Sequence, residues 1–245
     1  LIILEAGEDF GFSEAVDNYG IAGFGTIPTA RLTDANVDVS FVESMNDLQR
    51  SIAHSELERR AARTPRGLAE QLATVYGHNF SAAVYVPGMS VIGRLRLGYE
   101  DDIDDLLQPY LQGESIEVTN ASALAGQLVF AQHYESTGNE KSLRLVVQAA
   151  ELAFDGNGDP LEVAPMHNEM SDSFFMATPL LVKAGKFTDE RKYYDMAARH
   201  VIYMRSLLLR QNRLYRPSPE ANVAWSRGNG FAALGLALSL TDFPK

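Results

Sequence analysis

Residues 174–184 read FFMATPLLVKA and are apolar on nearly every side of a helix. A helix of this kind is buried all round. The next helical segment, residues 189–210, buries a single stripe, because charged residues separate its apolar positions. Those apolar positions are Tyr194, Ala197, Ala198, Val201, Met204 and Leu208. A fully buried helix followed by a half-buried helix indicates two concentric layers.

The same alternation recurs along the chain as an imperfect repeat. Mostly apolar helices are predicted to begin near Ser81, Ala121, Asp172 and Gly228. Amphipathic helices are predicted to begin near Asp101, Glu140 and Thr188. The pattern favours an all-α fold, with an inner and an outer ring of helices in an α/α toroid. The alternative is a helical solenoid, in which both helices of each pair are amphipathic.

The first part of the chain has a different pattern. Residues 1–42 contain five glycines that interrupt any long period, and we expect an irregular segment with short strands or one helix. Residues 43–245 are predicted to form the toroid domain. It opens with helices over 43–63 and 66–77, which are separated because Pro65 disfavours helical backbone in the residue before it.

Composition excludes several classes of partner. The chain has 245 residues, with 21 Lys and Arg against 32 Asp and Glu, and its net charge is −11. We therefore expect no nucleic-acid partner, and no membrane partner, since no apolar run reaches the ~18–20 residues of a span. Zero cysteines exclude disulfides and thiolate chemistry. No signal peptide is recognisable, so cytoplasm and periplasm both stay open, as does the oligomeric state.

Metal and cofactor sites are not predicted. Residues 155–159, DGNGD, begin like a calcium loop, but Pro160 and Met166 stand where the loop needs Gly and Glu. A turn between helices is the better interpretation. No two of the five histidines have the spacing of a helical zinc pair. His133 and His200 fall within helices and are predicted to be structural.

The first segment with chemical potential is residues 167–176, HNEMSDSFFM, at the entrance of the most apolar helix. Ser171 is predicted to cap that helix. Asp172 either complements the helix N-terminus or lies at the mouth of a cavity, where burial would raise its pKa and the helix terminus would lower it. Both interpretations stay open. His167 and Glu169 add polarity, and Glu169 is expected to contact Asp172 on the helix.

The second segment is residues 225–231, WSRGNGF, which contains the single tryptophan. Trp225 offers a flat apolar face for a sugar ring, and Arg227 offers a bidentate partner for a carboxylate. Asn229 lies between two glycines at a helix start, where backbone N–H groups are free to bind an anion or a hydroxyl. The alternative is a tight turn with a packed tryptophan. We predict a substrate site.

Together these segments resemble the motifs of a known family. Asp172-Ser-Phe-Phe-Met-Ala-Thr-Pro-Leu-Leu and Trp225-Ser-Arg-Gly-Asn-Gly-Phe are similar to the two motifs of the unsaturated uronyl hydrolases. These enzymes form glycoside hydrolase family 105 and its family 88 relatives. The resemblance covers residues 66–245. It implies an (α/α)6 toroid with the site at one mouth.

The resemblance also implies an activity. Such enzymes remove a 4,5-unsaturated uronic acid from the non-reducing end of small lyase-generated oligosaccharides, by hydration of the C4=C5 double bond. The chemistry needs no metal or other cofactor, and Asp172 matches its general acid/base. The predicted substrate-binding residues are Trp225, Arg227, Asn229, Phe231, His167, Asn120 and Tyr85. The alternatives are a carbohydrate-binding toroid without catalysis, or another glycosidase on the same scaffold.

Three departures from the family pattern leave the sugar next to the uronate open. Residues 119–126, TNASALAG, lack the family's second acid, and Asn120 can bind a sugar hydroxyl but cannot share a proton. Arg216 stands where a histidine is common. Tyr85 and Phe231 take the positions of two tryptophans.

The number of helices gives a further expectation. Seven helices follow from Ser81 to the end, and residues 66–77 make an eighth, whereas six closed hairpins need twelve. We therefore expect an open ring that lacks about two C-terminal hairpins. Its apolar edge would be exposed or covered by a partner.

Overall fold

The computed structural model describes residues 2–4, 29–31, 52–113 and 116–244. The chain divides into two compact units, Leu1–Leu68 and Ala69–Lys245. The predicted division between residues 42 and 43 lies outside the described residues and stays a prediction.

The first unit contains a small sheet and a helix. Strands β1 (Ile2–Leu4) and β2 (Thr29–Arg31) pair in parallel. Helix α1 (Ile52–Ala61) falls within the segment predicted to be helical over 43–63, of which residues 43–51 lie outside the described part. Hydrogen bonds from Arg59 and Arg60, one turn further on, lower the pKa of Glu56 to about 2.

Helix α2 (Pro65–Ala73) begins at a proline, which suits the first helical position because its missing N–H would have no partner there. Thr64 caps the helix, since its Oγ1 accepts from the N–H of Gly67 at 3.0 Å. The prediction that this helix extends to Gly77 is wrong. Gly77 has a left-handed φ of +83°, which a helix does not accommodate.

Nine helices follow in the described part of the second unit, and they confirm the predicted alternation. The inner helices contact one another, and the outer helices bury apolar side chains in the same core. The inner helices are α3 (Tyr85–Leu97), the consecutive α5 (Ala121–Gly126) and α6 (Leu128–Thr137), the consecutive α8 (Ser173–Met176) and α9 (Thr178–Thr188), and α11 (Ser226–Leu240). The outer helices are α4 (Asp101–Leu111), α7 (Glu140–Glu151) and α10 (Arg191–Leu208).

Two inner members are interrupted, a feature that the sequence did not predict. The breaks fall at Gln127 and Ala177. Pro179 starts a new helix after the second break, because it can occupy a first helical turn without an N–H. The break leaves α8 as a single buried turn directly after Asp172.

The outer helix α10 buries one stripe, as predicted. Its buried positions, three or four residues apart, are Tyr193, Met196, Ala197, His200, Met204 and Leu208. Because the spacing follows the helical period, the opposite face stays in solvent.

Helix α11 lies unusually close to α8. Its buried face consists of Gly228, Ala232, Gly235 and Ser239. A Cβ on Gly235 would lie 2.3 Å from the carbonyl oxygen of Phe174, and one on Gly228 would lie 2.5 Å from Ser171 Oγ. Only glycine permits the approach of the Phe174 backbone, and a Cβ on Gly228 would displace the Ser171 side chain. These close approaches place the start of α11 beside the start of α8.

The other face of α11 is apolar and exposed. It carries Ala233, Leu234, Ala237 and Leu240, of which Leu240 is 69% exposed. Contiguous apolar surface of this kind is typical of a face that packs against another element or a partner.

Two smaller predictions are confirmed. The carboxylate of Asp155 accepts the N–H groups of Asn157 and Asp159 at 2.8 and 3.0 Å, which makes the segment a turn. His133 is buried and structural, because its ring bonds Ser142 Oγ at 2.7 Å and Asp104 at 2.8 Å.

Among the described residues, no group of three or more His, Cys, Asp or Glu is placed to hold a metal ion. Within the same ranges, no helix has the length and apolarity to cross a membrane.

Candidate functional site

A cavity of about 220 Å³ lies where three inner helices begin. Its lining comes from the N-terminal ends of α3, α8 and α11 and from the loop after α10. The lining residues are Tyr85, Met170, Ser171, Asp172, Pro217, Trp225, Arg227, Gly228 and Phe231. Small-molecule sites usually measure ~300–1,000 Å³, so this cavity has room for about one sugar ring. Five residues that the sequence predicted for the site meet here.

Asp172 is the acid of the cavity, and it is half buried just before α8. Its own carbonyl accepts the N–H groups of Phe175 at 2.9 Å and Met176 at 3.0 Å, which fixes the turn. Burial raises the pKa of its carboxyl group, and this effect outweighs the opposing influence of backbone N–H groups and the charge of Arg227. Of the two opposing influences considered from the sequence, burial is therefore the larger at this carboxyl group.

The predicted capping role of Ser171 is wrong. The residue that precedes α8 is Asp172, and no side chain caps this helix. Ser171 is instead buried against Gly228, and its N–H donates to the carbonyl of Pro217 at 2.9 Å. Ser171 thus joins three segments of the cavity wall.

Trp225 and Arg227 lie at the mouth of the cavity. Trp225 is 50% exposed, so half of its surface is open to a ligand. The guanidinium of Arg227 lies 5.8 Å from the centre of the indole ring, within range of a cation–π contact. Arg227 is the one cation among the described residues that line this cavity. Its charge lowers the pKa of Asp172, although less than burial raises it.

An aromatic wall supports the apolar side of the cavity. Phe231 packs against Tyr85 and Phe175, with ring centres 5.8 and 5.7 Å apart, and Tyr85 also meets Phe175 at 6.0 Å. Because Phe175 is fully buried, it anchors the two rings that face the cavity. A rigid aromatic wall suits the apolar face of a sugar ring.

Two predicted binding residues have their amides engaged in the fold. Asn229 accepts from the N–H of Tyr215 at 2.8 Å and donates to the carbonyls of Tyr215 and Trp225 at 2.9 and 3.0 Å. It therefore ties the loop after α10 to the start of α11. Asn120 caps α5, since its side-chain oxygen accepts the N–H of Ala123 at 2.9 Å. Neither residue lines the cavity.

His167, a third predicted binding residue, faces α10 and not the cavity. Its ring centre is 6.3 Å from that of His200 and 5.9 Å from that of Tyr203. Glu169 has a left-handed φ of +52°, and its carboxylate accepts from the hydroxyl of Tyr203 at 3.2 Å. The expected helical contact between Glu169 and Asp172 is wrong, because Glu169 lies in a turn before the helix begins.

Sequence reasoning missed four residues of the lining: Met170, Ser171, Pro217 and Gly228. Pro217 could have been found from the residue before it, because Arg216 stands where the family commonly has a histidine. The Arg216 side chain donates to the carbonyls of Leu207 at 2.6 Å and Pro219 at 2.8 Å, so it turns toward the backbone.

A larger cleft, of about 730 Å³, lies between the end of α4 and the start of α7. Lys141 and Arg144 contribute to its lining, and none of the described residues around it is acidic. The described part of its lining therefore offers no carboxyl group like that of Asp172, and the smaller cavity is the candidate site.

The layered helices and the cavity at one end of the inner ring define an α/α toroid. The fold is similar to that of a glycosyl hydrolase family 88 protein from Bacteroides vulgatus, with a TM-score of 0.55 and 15% identity over 74% of this chain and 62% of that one. A family 105 glycoside hydrolase from C. acetobutylicum matches with a TM-score of 0.52 and 15% identity, over 74% and 60%. A polysaccharide lyase matches with a TM-score of 0.54 and 12% identity, over 73% and 61%. The chain thus spans about three-fifths of the length of these solved structures.

The sequence model described as Glycosyl Hydrolase Family 88 matches residues 99–245, a range that contains both motifs. The chain belongs to glycosyl hydrolase family 88. No curated protein sequence shows significant similarity to it.

Proposed function

We propose that this protein removes a 4,5-unsaturated uronic acid from the non-reducing end of lyase-generated oligosaccharides, with Asp172 as the general acid/base. The observation that carries the proposal is a half-buried carboxyl group of raised pKa, which shares a cavity for one sugar ring with a single guanidinium. Family membership supports the same assignment.

The first step is the transfer of a proton. Asp172 in its acid form donates a proton to C4 of the double bond, and positive charge develops at C5. The raised pKa keeps a larger fraction of the carboxyl group protonated than an exposed aspartic acid would have. Burial thus prepares the group for its role as a donor.

The second step returns the proton. The carboxylate of Asp172 accepts a proton from a water molecule, whose oxygen bonds to C5. The net change is the addition of water across the double bond, and Asp172 is again protonated. The hemiketal at C5 opens to a ketone, which leaves a hemiacetal at C1 that expels the next sugar.

Arg227 and Trp225 are assigned to binding. The guanidinium of Arg227 pairs with the carboxylate of the uronic acid, and the exposed indole of Trp225 stacks on a sugar ring. Pairing also affects the acid. Because the charge of Arg227 lowers the pKa of Asp172, neutralisation by the substrate carboxylate raises that pKa further in the complex.

The decisive experiment uses a lyase-generated unsaturated disaccharide and follows the ultraviolet absorbance of its double bond. The wild-type protein is expected to remove this absorbance, and Asp172→Asn is expected to abolish the reaction, because an amide cannot donate and recover the proton. Asp189→Asn is the matched control. Asp189 is exposed and has a left-handed backbone that asparagine also tolerates, so the same loss of charge should leave the rate unchanged.

Two results would overturn the proposal. If the disaccharide binds without loss of absorbance, the protein is a carbohydrate-binding toroid. If the wild type and Asp172→Asn react at equal rates, the acid lies elsewhere.

A further inference from the structure

The ring nitrogens of His200 lie within the buried stripe of α10, between Met196 and Met204. The residue is fully buried, and burial lowers the pKa of its ring to about 4. The ring is therefore neutral near pH 7. Burial removes the polar nitrogens of the ring from water, a cost that a leucine at this position would not have. The ring therefore requires a hydrogen-bond partner that offsets the lost solvation.

That partner is the backbone of the turn that begins at Asp172. The Nε2 atom of His200 lies 3.2 Å from the carbonyl oxygen of Ser173. A carbonyl oxygen only accepts, so Nε2 carries the single proton of the neutral ring. Nδ1 is then the bare nitrogen, and it is buried with no partner among the described residues. The bond to Ser173 is thus the one that orients the ring.

The turn itself has few bonds of its own. Helix α8 spans four residues, and so short a helix is not stable in isolation. The carbonyl of Ser173 has two donors. One is the N–H of Ala177 at the end of the turn, at 3.2 Å, and the other is His200 of α10, so this carbonyl links the turn to α10. On another side, Gly235 of α11 lies directly against the carbonyl of Phe174. Two helices therefore hold the turn that carries Asp172.

We propose that His200 is a positioning residue for Asp172, because its Nε2–H holds the carbonyl of Ser173 and so keeps the carboxyl group half buried beside Arg227. The consequence for catalysis rests on the function proposed above. The consequence for the surroundings of the Asp172 carboxyl group does not depend on that function.

The test compares two replacements of His200 in the full chain. His200→Leu fills the space and removes the donor, whereas the side-chain amide of His200→Gln reaches about as far as Nε2 and can still donate. The pKa of Asp172 is measured from the carbon-13 NMR signal of its carboxyl carbon, assigned by its absence in Asp172→Asn. A looser turn admits water, so the pKa of Asp172 should fall toward its ordinary value in His200→Leu and stay near the wild-type value in His200→Gln.

Kinetics on the unsaturated disaccharide provide the second measurement. In His200→Leu, kcat is expected to fall ~10- to 100-fold, as for a slightly displaced catalytic group, while KM changes little. His200→Gln should recover most of the rate. The control is His133→Leu, which also replaces a buried histidine, but one that bonds Asp104 and Ser142, and none of these three residues lines the cavity. It should lower the melting temperature and leave kcat and the pKa of Asp172 unchanged.

The outcomes are distinct. If His200→Leu loses stability like His133→Leu but keeps the wild-type kcat and pKa of Asp172, His200 is merely structural and the proposal is wrong. If the wild type shows no hydrolysis, the proposed function fails, and the NMR titration still decides the positioning role. His200→Met, which is unbranched and keeps much of the volume, replaces the leucine variant if that variant does not fold.

Discussion

The contact between Gly235 and the turn after Asp172 gives a prediction that can be worked out in free energy. In Gly235→Ala, the new Cβ would lie 2.3 Å from the carbonyl oxygen of Phe174, so α8 and α11 must move apart. Gly230 lies on the same helix, and a Cβ there meets nothing within 4 Å. Gly230→Ala is therefore a matched control, which adds the same methyl group without a collision.

The gain in helix propensity is common to both variants, up to ~1 kcal/mol for a glycine-to-alanine change, and it cancels in their comparison. The remaining difference is the cost of overpacking, ~1–3 kcal/mol. In a domain of this size 1 kcal/mol corresponds to ~2–4 °C, so Gly235→Ala should melt ~2–12 °C below Gly230→Ala. Gly235→Ala should also lower kcat, because the displaced turn carries Asp172.

Thermal unfolding followed by circular dichroism measures the first effect, and the disaccharide assay measures the second. Equal melting temperatures of the two variants would refute this prediction. Equal stability would mean that the helices separate at no cost, and that the close approach is not what holds the turn in place.

Two further predictions concern the start of α11. Arg227→Met removes the positive charge that lowers the pKa of Asp172, so the alkaline fall of kcat/KM should move to higher pH. Arg227→Lys keeps the charge and should keep the wild-type pH profile. An alkaline limb that stays in place in Arg227→Met would contradict the effect of Arg227 on the pKa of Asp172. Asn229→Ala leaves the backbone of Tyr215 without its partners and should cost ~1–3 kcal/mol in urea unfolding. A raised KM with unchanged stability would instead assign Asn229 to sugar binding.

The sequence predicted the layered helices well, because burial repeats with the helical period. The segment 189–210 was predicted as an outer helix, and α10 spans Arg191–Leu208. The break at Ala177 was not predictable, since Thr178-Pro179 is compatible with a new helix start as well as with a kink in a continuing helix. Local patterns report the layer of a helix more reliably than its continuity.

The candidate site was predictable where its residues are close to helix starts. Asp172, Trp225 and Arg227 belong to two short motifs, and the cavity contains all three. The positions of His167 and Asn229 depend on partners that are distant in the chain. Packing places His200 beside His167 and the loop of Tyr215 beside Asn229, and no local sequence pattern encodes these contacts.

The shared direction of the inner helices has a consequence for the electrostatic field. Helices α3 and α11, of 13 and 15 residues, both begin at the cavity. The aligned peptide dipoles of a helix place roughly half a positive charge at its N-terminus. In a chain with a net charge of −11, these two helix ends and Arg227 add positive potential at the cavity entrance. Salt weakens the repulsion from distant surface charges beyond the ~10 Å screening length at 0.1 M, while the nearby helix ends keep their attraction. An anionic sugar should therefore associate faster as ionic strength rises from very low values.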